Sequence, residues 1–366
     1  MKKRVSIIGA GIFGISCAME LAGDFDVVVY EQEPDIMSKG TYANQYRHHH
    51  GFHYPRSEET VKQCLDAQDS LKSRWGEAII EDIPSYYAVA KEGSKVTADE
   101  FIKFCDDMGL KYIQKYPDPS FLNPGAVDLC LLTKEPVYDF KKLKNIAKKN
   151  LDKNTSIMLR LSSKVVGAKL NNETGQKILT VLHSGNKIEE VFDYVVNATY
   201  ANQNLFKNWL DFPGLEIEFR LKEVPIVKLP TNICEAVTIM DGEFVTIVPI
   251  GHTGLYTFGD VGRSIREVKF STGGVPWTQD YINSLASRFE EMKEANPYYI
   301  PITAKAEYVR SMYAVLPILP NSNDTDARLT AVTNHGDGCW SVFEGKIVTS
   351  VEAARDVANQ IINFKA

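Results

Sequence analysis

The sequence of 366 residues lacks any hydrophobic run as long as a membrane-spanning helix, which needs about 18 apolar residues. It also lacks an excess of positive charge, because its formal net charge is −6. A chain without a basic field has little electrostatic attraction for phosphate backbones. We therefore expect a protein that neither spans a membrane nor binds nucleic acid.

Cysteine is scarce and its spacing is uninformative. The six cysteines form no Cys-x-x-Cys pair, so neither a zinc ribbon nor a disulfide framework is indicated. A reducing cytoplasm is the simplest setting for such a chain, and we expect no metal site. Internal repeats, low-complexity segments and a Gly/Ser-rich linker are missing as well, which predicts domains that are interwoven rather than strung together.

The order of apolar patterns predicts an α/β fold. Residues 4–8 and 27–30 are short apolar runs typical of buried strands, and residues 14–22 between them have helical spacing. This is a βαβ unit, which implies a parallel sheet. Further helices are predicted at 58–76, 98–109, 137–151, 278–294 and 343–363, and strands at 156–161, 164–170, 178–183, 189–197, 216–228, 235–240, 243–250 and 254–258.

This order suits a Rossmann-type nucleotide-binding domain that is interrupted by a β-rich (α+β) substrate domain. We expect the nucleotide-binding domain to comprise residues 1–84, 152–215 and 310–366. The substrate domain then comprises residues 85–151 and 216–309.

A glycine motif stands between the first strand and the first helix. Gly9, Gly11 and Gly14 match G-x-G-x-x-G, with Ile12 and Phe13 inside the motif. The first glycine permits the tight turn, the second lets the backbone approach a pyrophosphate, and the third lets the helix pack on the sheet. The helix N-terminus then offers N–H groups and partial positive charge to the phosphates.

An acid follows the second strand of this unit. Glu31 stands 22 positions after Gly9, where a carboxylate accepts hydrogen bonds from ribose hydroxyls and repels the 2′-phosphate of NADP. FAD or NAD is therefore favoured. The stretch 192–199 is an Asp-led apolar strand ending in Ala198 and Thr199, and it resembles the second fingerprint of flavoproteins, with Thr199 at the usual glycine.

With these motifs placed, the chain resembles the D-amino-acid oxidase (DAO) superfamily of FAD-dependent oxidoreductases, to which sarcosine and glycine oxidases belong. In residues 40–51, Arg47-His48 looks like the Arg-His pair that sarcosine oxidases carry beside the flavin. Arg310-Ser311-Met312-Tyr313 looks like the strand that bears a Cys–flavin bond in monomeric sarcosine oxidases, and Ser311 at the cysteine position implies that this bond is absent.

The resemblance extends to the glycine-rich stretch at residues 335–340, which leads into the last predicted helix. In the family a turn at this point aims a helix N-terminus at the flavin pyrimidine ring and stabilises the anionic reduced flavin. Together the motifs and the resemblance imply that FAD is held by Gly9, Gly11, Ile12, Phe13, Gly14, Glu31, Gln32, Thr41, Asn44, Gln45, Arg47, Val165, Ala198, Thr199, Arg310, Gly336, Asp337, Gly338, Cys339 and Trp340.

Four of the seven histidines lie between residues 48 and 53, next to two arginines suited to binding a carboxylate or phosphate. One histidine could be a general base or bond covalently to the flavin, and the others could be structural. A metal on His49 and His53 lacks an acidic partner nearby in the sequence. The candidate catalytic residues are Arg47, His48, His50, Tyr256 and Arg310, although Tyr256 equally suits a core aromatic.

Four functions remain open at this point. The first is FAD-dependent oxidation of a small polar substrate at a C–H bond next to an amine, with O2 or another compound as electron acceptor. The second is an FAD-dependent 2-hydroxy-acid dehydrogenase, which benefits from a histidine base. The third is a non-redox flavoenzyme like the sugar-nucleotide mutases. The fourth is an FAD-binding scaffold without activity, which the density of polar groups at 41–57 argues against.

Overall fold

The computed structural model describes residues 2–320 and 324–364 of the chain. Strands in these ranges are β1 Arg4–Ile8, β2 Asp26–Tyr30, β3 Ile79–Ile80, β4 Ser85–Ala90, β5 Tyr112–Gln114, β6 Val127–Thr133, β7 Val137–Tyr138, β8 Ile157–Arg160, β9 Ser163–Leu170, β10 Lys177–His183, β11 Asn186–Phe192, β12 Tyr194–Asn197, β13 Ile217–Lys228, β14 Ala236–Met240, β15 Val245–Pro249, β16 Leu255–Asp260, β17 Ile265–Ser271, β18 Glu307–Ile318, β19 Ala331–Gly336 and β20 Cys339–Phe343. Helices are α1 Ile12–Leu21, α2 Glu58–Asp66, α3 Gln68–Trp75, α4 Ala98–Asp107, α5 Phe140–Lys153, α6 Leu205–Leu210, α7 Val261–Ser264, α8 Gln279–Asn283, α9 Phe289–Ala295 and α10 Ser350–Ile362.

A six-stranded sheet in the order β19-β20-β12-β1-β2-β8 is built around the predicted βαβ unit. β1 pairs in parallel with β2 on one side and with β12 on the other. Ile7 and Val29 are fully buried, because helices α1 and α10 cover the sheet and share one apolar core with it. The carboxyl ends of β1 and β12 therefore lie next to each other, which is where ligands bind in open parallel sheets.

A nine-stranded, mostly antiparallel sheet forms the other large layer. Its long strand β13 pairs with β16, β17 and β18. Through β18, residues 310–318 lie in this sheet, although the sequence pattern assigned them to the nucleotide-binding domain. Conversely, α5 packs Leu143, Ala147 and Leu151 into the core of the six-stranded sheet. The two sheets thus exchange segments more often than we predicted.

Three predicted elements are broken in the structure. The helix expected at 58–76 is divided at Ala67 into α2 and α3. The helix expected at 278–294 is divided into α8 and α9, because residues between them form hydrogen bonds with Glu223 of β13. The Ser287 hydroxyl and the Arg288 backbone N–H both donate to that carboxylate, the latter at 3.1 Å. The single strand expected at 189–197 is two strands separated at Asp193, whose Oδ2 accepts the Arg4 backbone N–H at 2.8 Å.

The expected start of the last helix, at residue 343, is wrong. α10 begins at Ser350, and residues 344–349 form a loop ending in the single 3₁₀ turn Ile347–Thr349. Gly345 explains the loop, since a Cβ at this position would stand 2.2 Å from the Arg328 carbonyl oxygen. The apolar residues of this stretch suit a helix in the sequence, but close contact with a distant segment prevents one.

Within the described ranges, none of the helices combines the length and the apolar character that crossing a membrane requires.

Candidate functional site

Two adjoining cavities open at the carboxyl ends of β1 and β12. The larger cavity has a volume of about 400 Å³ and the smaller one of about 180 Å³. Gly40, Thr41, Tyr200 and Glu344 line both cavities, so the two adjoin. Two adjoining cavities of unequal volume suit an extended cofactor and a small second molecule.

The glycine motif forms one wall of the larger cavity. Gly9 has φ +105, a conformation that favours glycine, and a Cβ there would lie 2.4 Å from the Ala198 carbonyl oxygen. A Cβ on Gly14 would lie 2.0 Å from the Gly9 carbonyl oxygen, so the helix packs directly on the turn. Gly11 is the N-cap residue before α1, has no side chain to cap it, and lines the cavity. The Ile12 N–H donates to Thr41 Oγ1 at 3.1 Å, and the first turn of a helix has further N–H groups without intrahelical partners that a ligand can use.

Glu31 lies at the end of β2 in the same cavity. Its two carboxylate oxygens accept the backbone N–H groups of Ala10 and Glu33, each at 2.9 Å. Burial raises the pKa of Glu31, while these two N–H groups act in the opposite direction. The carboxylate is thus fixed against the glycine turn, with its remaining acceptor positions available to sugar hydroxyls.

Other predicted residues reach this cavity from distant segments. Gln32 follows Glu31, and Val165 comes from β9. Ala198 and Thr199 follow β12, where the sequence resembles a second fingerprint. The larger cavity therefore collects residues from most of the stretches that we expected to contact a dinucleotide.

The smaller cavity is lined by Ile12, Phe13, Thr41, Asn44 and Gln45 among the predicted residues. Opposite them lie Ala314 and Leu316 of β18 and the loop at 344–347. Its wall thus combines the nucleotide-binding layer with the nine-stranded sheet.

Arg47 is a charged member of this wall that is only 6% exposed. Its Nη1 donates to the Tyr87 hydroxyl at 2.9 Å and its Nη2 donates to Thr246 Oγ1. Glu135 lies behind the guanidinium, with Oε1 3.9 Å from Nη1, and Oε1 also accepts a hydrogen bond from the Tyr87 hydroxyl. The Nε atom is shielded from solvent and has no protein hydrogen-bond partner in the described part of the chain. A buried guanidinium with a spare donor suits a bound anion.

The histidines divide between two sides of the extended segment that follows Arg47. His49 lines the smaller cavity, with Nδ1 3.7 Å from Glu135 Oε1. His48 and His50, the two that we predicted to be catalytic, face away, and the His48 ring stacks on Tyr138 at 5.4 Å. Alternate residues of an extended chain point to opposite sides, so Arg47 and His49 share one face. Burial holds the pKa of His49 well below its ordinary value, so its imidazole is neutral.

Two lysines of the smaller cavity were not predicted. Burial lowers the pKa of both Lys222, from β13, and Lys346, from the 344–347 loop, to about 8. The Lys346 ammonium lies 4.7 Å from the centre of the Tyr54 ring. The sequence offers no signal that singles out Lys222, because β13 also contains Glu218, Arg220 and Glu223.

Comparison with known proteins agrees with this geometry. Residues 4–129 match the family of FAD dependent oxidoreductases abbreviated DAO. The chain carries a DAO-family domain. It is therefore an FAD-dependent oxidoreductase, and the predicted family, enzyme class and cofactor are confirmed.

Relatives and solved structures cover nearly the whole chain. FAD-dependent monooxygenase FPY4 of Fusarium mangiferae is 24% identical over 365 residues, covering 94% of this chain and 87% of the relative. FAD-dependent monooxygenase kojA of Aspergillus flavus is 25% identical over 386 residues, covering 97% and 84%.

Two solved structures show the same fold. Glycine oxidase from Geobacillus kaustophilus superposes with a TM-score of 0.72 at 16% identity, covering 100% of this chain and 96% of that one. L-α-glycerophosphate oxidase from Mycoplasma pneumoniae, with FAD bound, gives 0.74 at 14% identity, covering 100% and 96%. The predicted mixed α/β fold is confirmed.

The residues present fit FAD in this domain. The turn at Gly9–Gly14 has no room for a side chain at Gly9 or Gly14, and Glu31 lies where its carboxylate can accept hydrogen bonds from a ribose. The larger cavity suits the adenosine diphosphate half of the cofactor, and the smaller cavity joins it where the flavin ring would follow. Gly14 itself does not line either cavity, because its task is packing.

The glycine-rich stretch at residues 336–340 does not reach the cavities, which corrects our expectation for all five residues. Gly336, Asp337 and Gly338 make the turn of the β19–β20 hairpin, at the end of the sheet where β12 begins. A Cβ on Gly338 would lie 3.0 Å from the Asp193 carbonyl oxygen. Cys339 and Trp340 are fully buried in β20. The loop at 344–347 takes the place we expected for this turn.

Two predicted catalytic residues also lie elsewhere. Tyr256 is 2% exposed in the core of the nine-stranded sheet, with its hydroxyl donating to the Ile233 carbonyl. Arg310 is exposed, and its guanidinium lies over the Tyr42 ring. Ser311 donates to Glu223 at 2.5 Å instead of lining a cavity. Strand β18 presents Ala314 and Leu316 to the smaller cavity instead.

Proposed function

We propose that this FAD-dependent oxidoreductase oxidises a small substrate that carries both a carboxylate and an amine, such as an amino acid, in the smaller cavity. The observation that carries the proposal is the concentration of cationic side chains there. Arg47, Lys222 and Lys346 all line a space of about 180 Å³. One buried and two half-buried cations around so small a space favour an anionic ligand.

Size limits the substrate further. The flavin ring would take part of the smaller cavity, whose whole volume is about 180 Å³, so only a short substrate fits beside it. Its apolar wall consists of Val224, Ala314 and Leu316, which suits a short carbon skeleton. A substrate held by its carboxylate at one end then has one orientation in the cavity.

The roles of the protein groups follow from their positions. The glycine turn, Glu31, Gln32, Val165, Ala198 and Thr199 hold the adenosine diphosphate half of FAD. When bound, FAD supplies the acceptor for the hydride that leaves the substrate carbon. Arg47 binds the carboxylate with its free Nε–H, and Glu135 fixes the guanidinium from behind. Oxidation requires the neutral amine, and neutral His49 is placed to accept a hydrogen bond from that amine's N–H.

One observation favours a second candidate, the 2-hydroxy-acid dehydrogenase. A neutral, buried imidazole beside a carboxylate is the arrangement that removes a proton from a hydroxyl. The same cations would bind the carboxylate of a hydroxy acid. The two candidates therefore differ at the group on the reacting carbon. We propose O2 or another small acceptor as the final oxidant of both.

Anaerobic bleaching of the flavin absorbance tests the proposal. The holoenzyme is mixed with matched sets of an amino acid, its amide and the corresponding 2-hydroxy acid. We expect the amino acid to bleach the flavin and the amide to fail, since a neutral carboxamide replaces the carboxylate that the cations bind. Bleaching by the hydroxy acid alone selects the second candidate. Equal bleaching by the amide, or none by any member of the sets, contradicts the proposal. Peroxide release in air then identifies O2 as acceptor.

A further inference from the structure

Glu344 lies at the junction of the two cavities. It follows strand β20 directly, precedes the loop residue Gly345, and lines both the larger and the smaller cavity. Tyr200 stands beside it in both cavity walls. A dinucleotide that extends from the glycine turn to the smaller cavity must pass this carboxyl group.

One of the two oxygens of the Glu344 carboxyl group has no hydrogen-bond partner in the described part of the protein. This oxygen, Oε1, is shielded from solvent. The backbone N–H of Tyr200 lies near enough to the carboxyl group to favour its ionised form. A buried oxygen without a partner carries a large desolvation cost, so its presence beside a cavity points to a ligand that completes it.

Burial disfavours a negative charge on Glu344, although cationic side chains line the smaller cavity beside it. The ionisable groups coupled to it are the Tyr200 hydroxyl and the Cys17 thiol of α1, and burial raises the pKa of both, so that they are neutral. Lys346 stands two residues on, and burial lowers its own pKa to about 8. Burial raises the pKa of Glu344 well above its ordinary value, and the Tyr200 N–H opposes that change without reversing it.

We propose that Glu344 keeps its proton and donates a hydrogen bond from its carboxyl group to bound FAD between the diphosphate and the flavin ring. An ionised carboxylate at this point would repel the diphosphate, whereas a protonated one is a donor. The inference rests on the cofactor and its cavities and is independent of the substrate proposed above.

Three substitutions separate charge from hydrogen bonding. Glu344→Gln is neutral, nearly the same size and still a donor, whereas Glu344→Leu is neutral but cannot donate. Glu290→Gln, at an exposed position of α9, is the matched control for the exchange of acid for amide. Apoprotein of each variant is titrated with FAD at pH 7.5, and flavin fluorescence gives the dissociation constant.

We expect Glu344→Gln and Glu290→Gln to bind FAD within about threefold of the wild type, and Glu344→Leu about tenfold more weakly, as the loss of one hydrogen bond predicts. If Glu344→Leu binds as tightly as Glu344→Gln, the donor role is wrong. If Glu344→Gln binds far more weakly than the wild type while it unfolds at the same temperature, the wild type uses an ionised carboxylate and the proposal is overturned.

Infrared spectra of the wild-type and variant holoenzymes, compared with one another, detect the proton on Glu344 directly. A carbonyl band of a protonated carboxyl group is expected at pH 7.5 in the wild type and in Glu290→Gln, and it should be missing in Glu344→Gln. If the wild type and Glu344→Gln have the same spectrum in this region, Glu344 is ionised and the inference fails.

Discussion

Replacing Lys346 with methionine is expected to stabilise the protein while weakening its binding of anions. The side chain lines the smaller cavity, and burial lowers its pKa from 10.5 to about 8. Each pKa unit corresponds to about 1.36 kcal/mol, so keeping this lysine charged in the folded state costs about 3 kcal/mol at pH 7. Methionine has a similar length and no charge, which removes that cost.

A smaller effect acts in the opposite direction. The ammonium lies 4.7 Å from the centre of the Tyr54 ring, and such a cation–π contact contributes about 1 kcal/mol. We therefore expect Lys346→Met to raise the free energy of unfolding of the apoprotein by about 2 kcal/mol at pH 7. The gain in stability is accompanied by weaker anion binding, because a cation of the proposed substrate site is lost.

The pH dependence of this gain follows from the direction of the pKa change. A lysine whose folded pKa is lowered destabilises the fold fully below pH 8, and this effect shrinks as the pH rises above 8 and vanishes only above 10.5, where the lysine is neutral in both states. Urea unfolding at pH 7 and at pH 10 measures the difference between variant and wild type. The difference should be much smaller at pH 10 than at pH 7. A destabilised variant at pH 7, or an equal difference at both pH values, would refute the reasoning.

Two further predictions concern the cofactor and substrate sites. Gly14→Ala should abolish FAD retention, because the added Cβ would stand 2.0 Å from the Gly9 carbonyl oxygen. Gly23→Ala is the control, since a Cβ at that position meets nothing within 4 Å. Equal flavin content in the two purified variants would contradict the packing argument. Arg47→Met should raise KM for carboxylate substrates more than about tenfold, since a buried charge-assisted hydrogen bond is lost. Arg310→Met, at an exposed position, should leave KM unchanged in the same steady-state assay, and equal effects of the two would exclude the assigned cavity.

Sequence reasoning was most successful where the determining contacts are local. The turn Gly9–Gly14 and Glu31 lie within one βαβ unit, so their geometry follows from the chain between them. Turn conformation, helix polarity and strand order are all set by short-range sterics and hydrogen bonding. For this reason the parallel sheet, the dinucleotide motif and the FAD family were accessible from the residues alone.

Only tertiary structure decided which charged groups share the smaller cavity. Its wall joins Arg47 and His49 to Lys222 and Lys346, which are more than a hundred residues apart in the chain. The four histidines of one short segment are chemically equivalent in the sequence. The pairing of Arg47 with Val137 sets which side of the segment faces the cavity, and this selects His49 over its two neighbours.

The same limit explains the error at the C-terminal glycine stretch. Gly336 and Gly338 predict a turn, and the residues after them are apolar, which suits a helix or a strand equally. Pairing of β20 with β12 makes the stretch a hairpin and moves the cavity-lining loop to residues 344–347. The sequence by itself therefore determined the cofactor and the local cradle that binds it. The packing of two sheets decided the substrate cavity, because burial and charge there arise from contacts between distant segments.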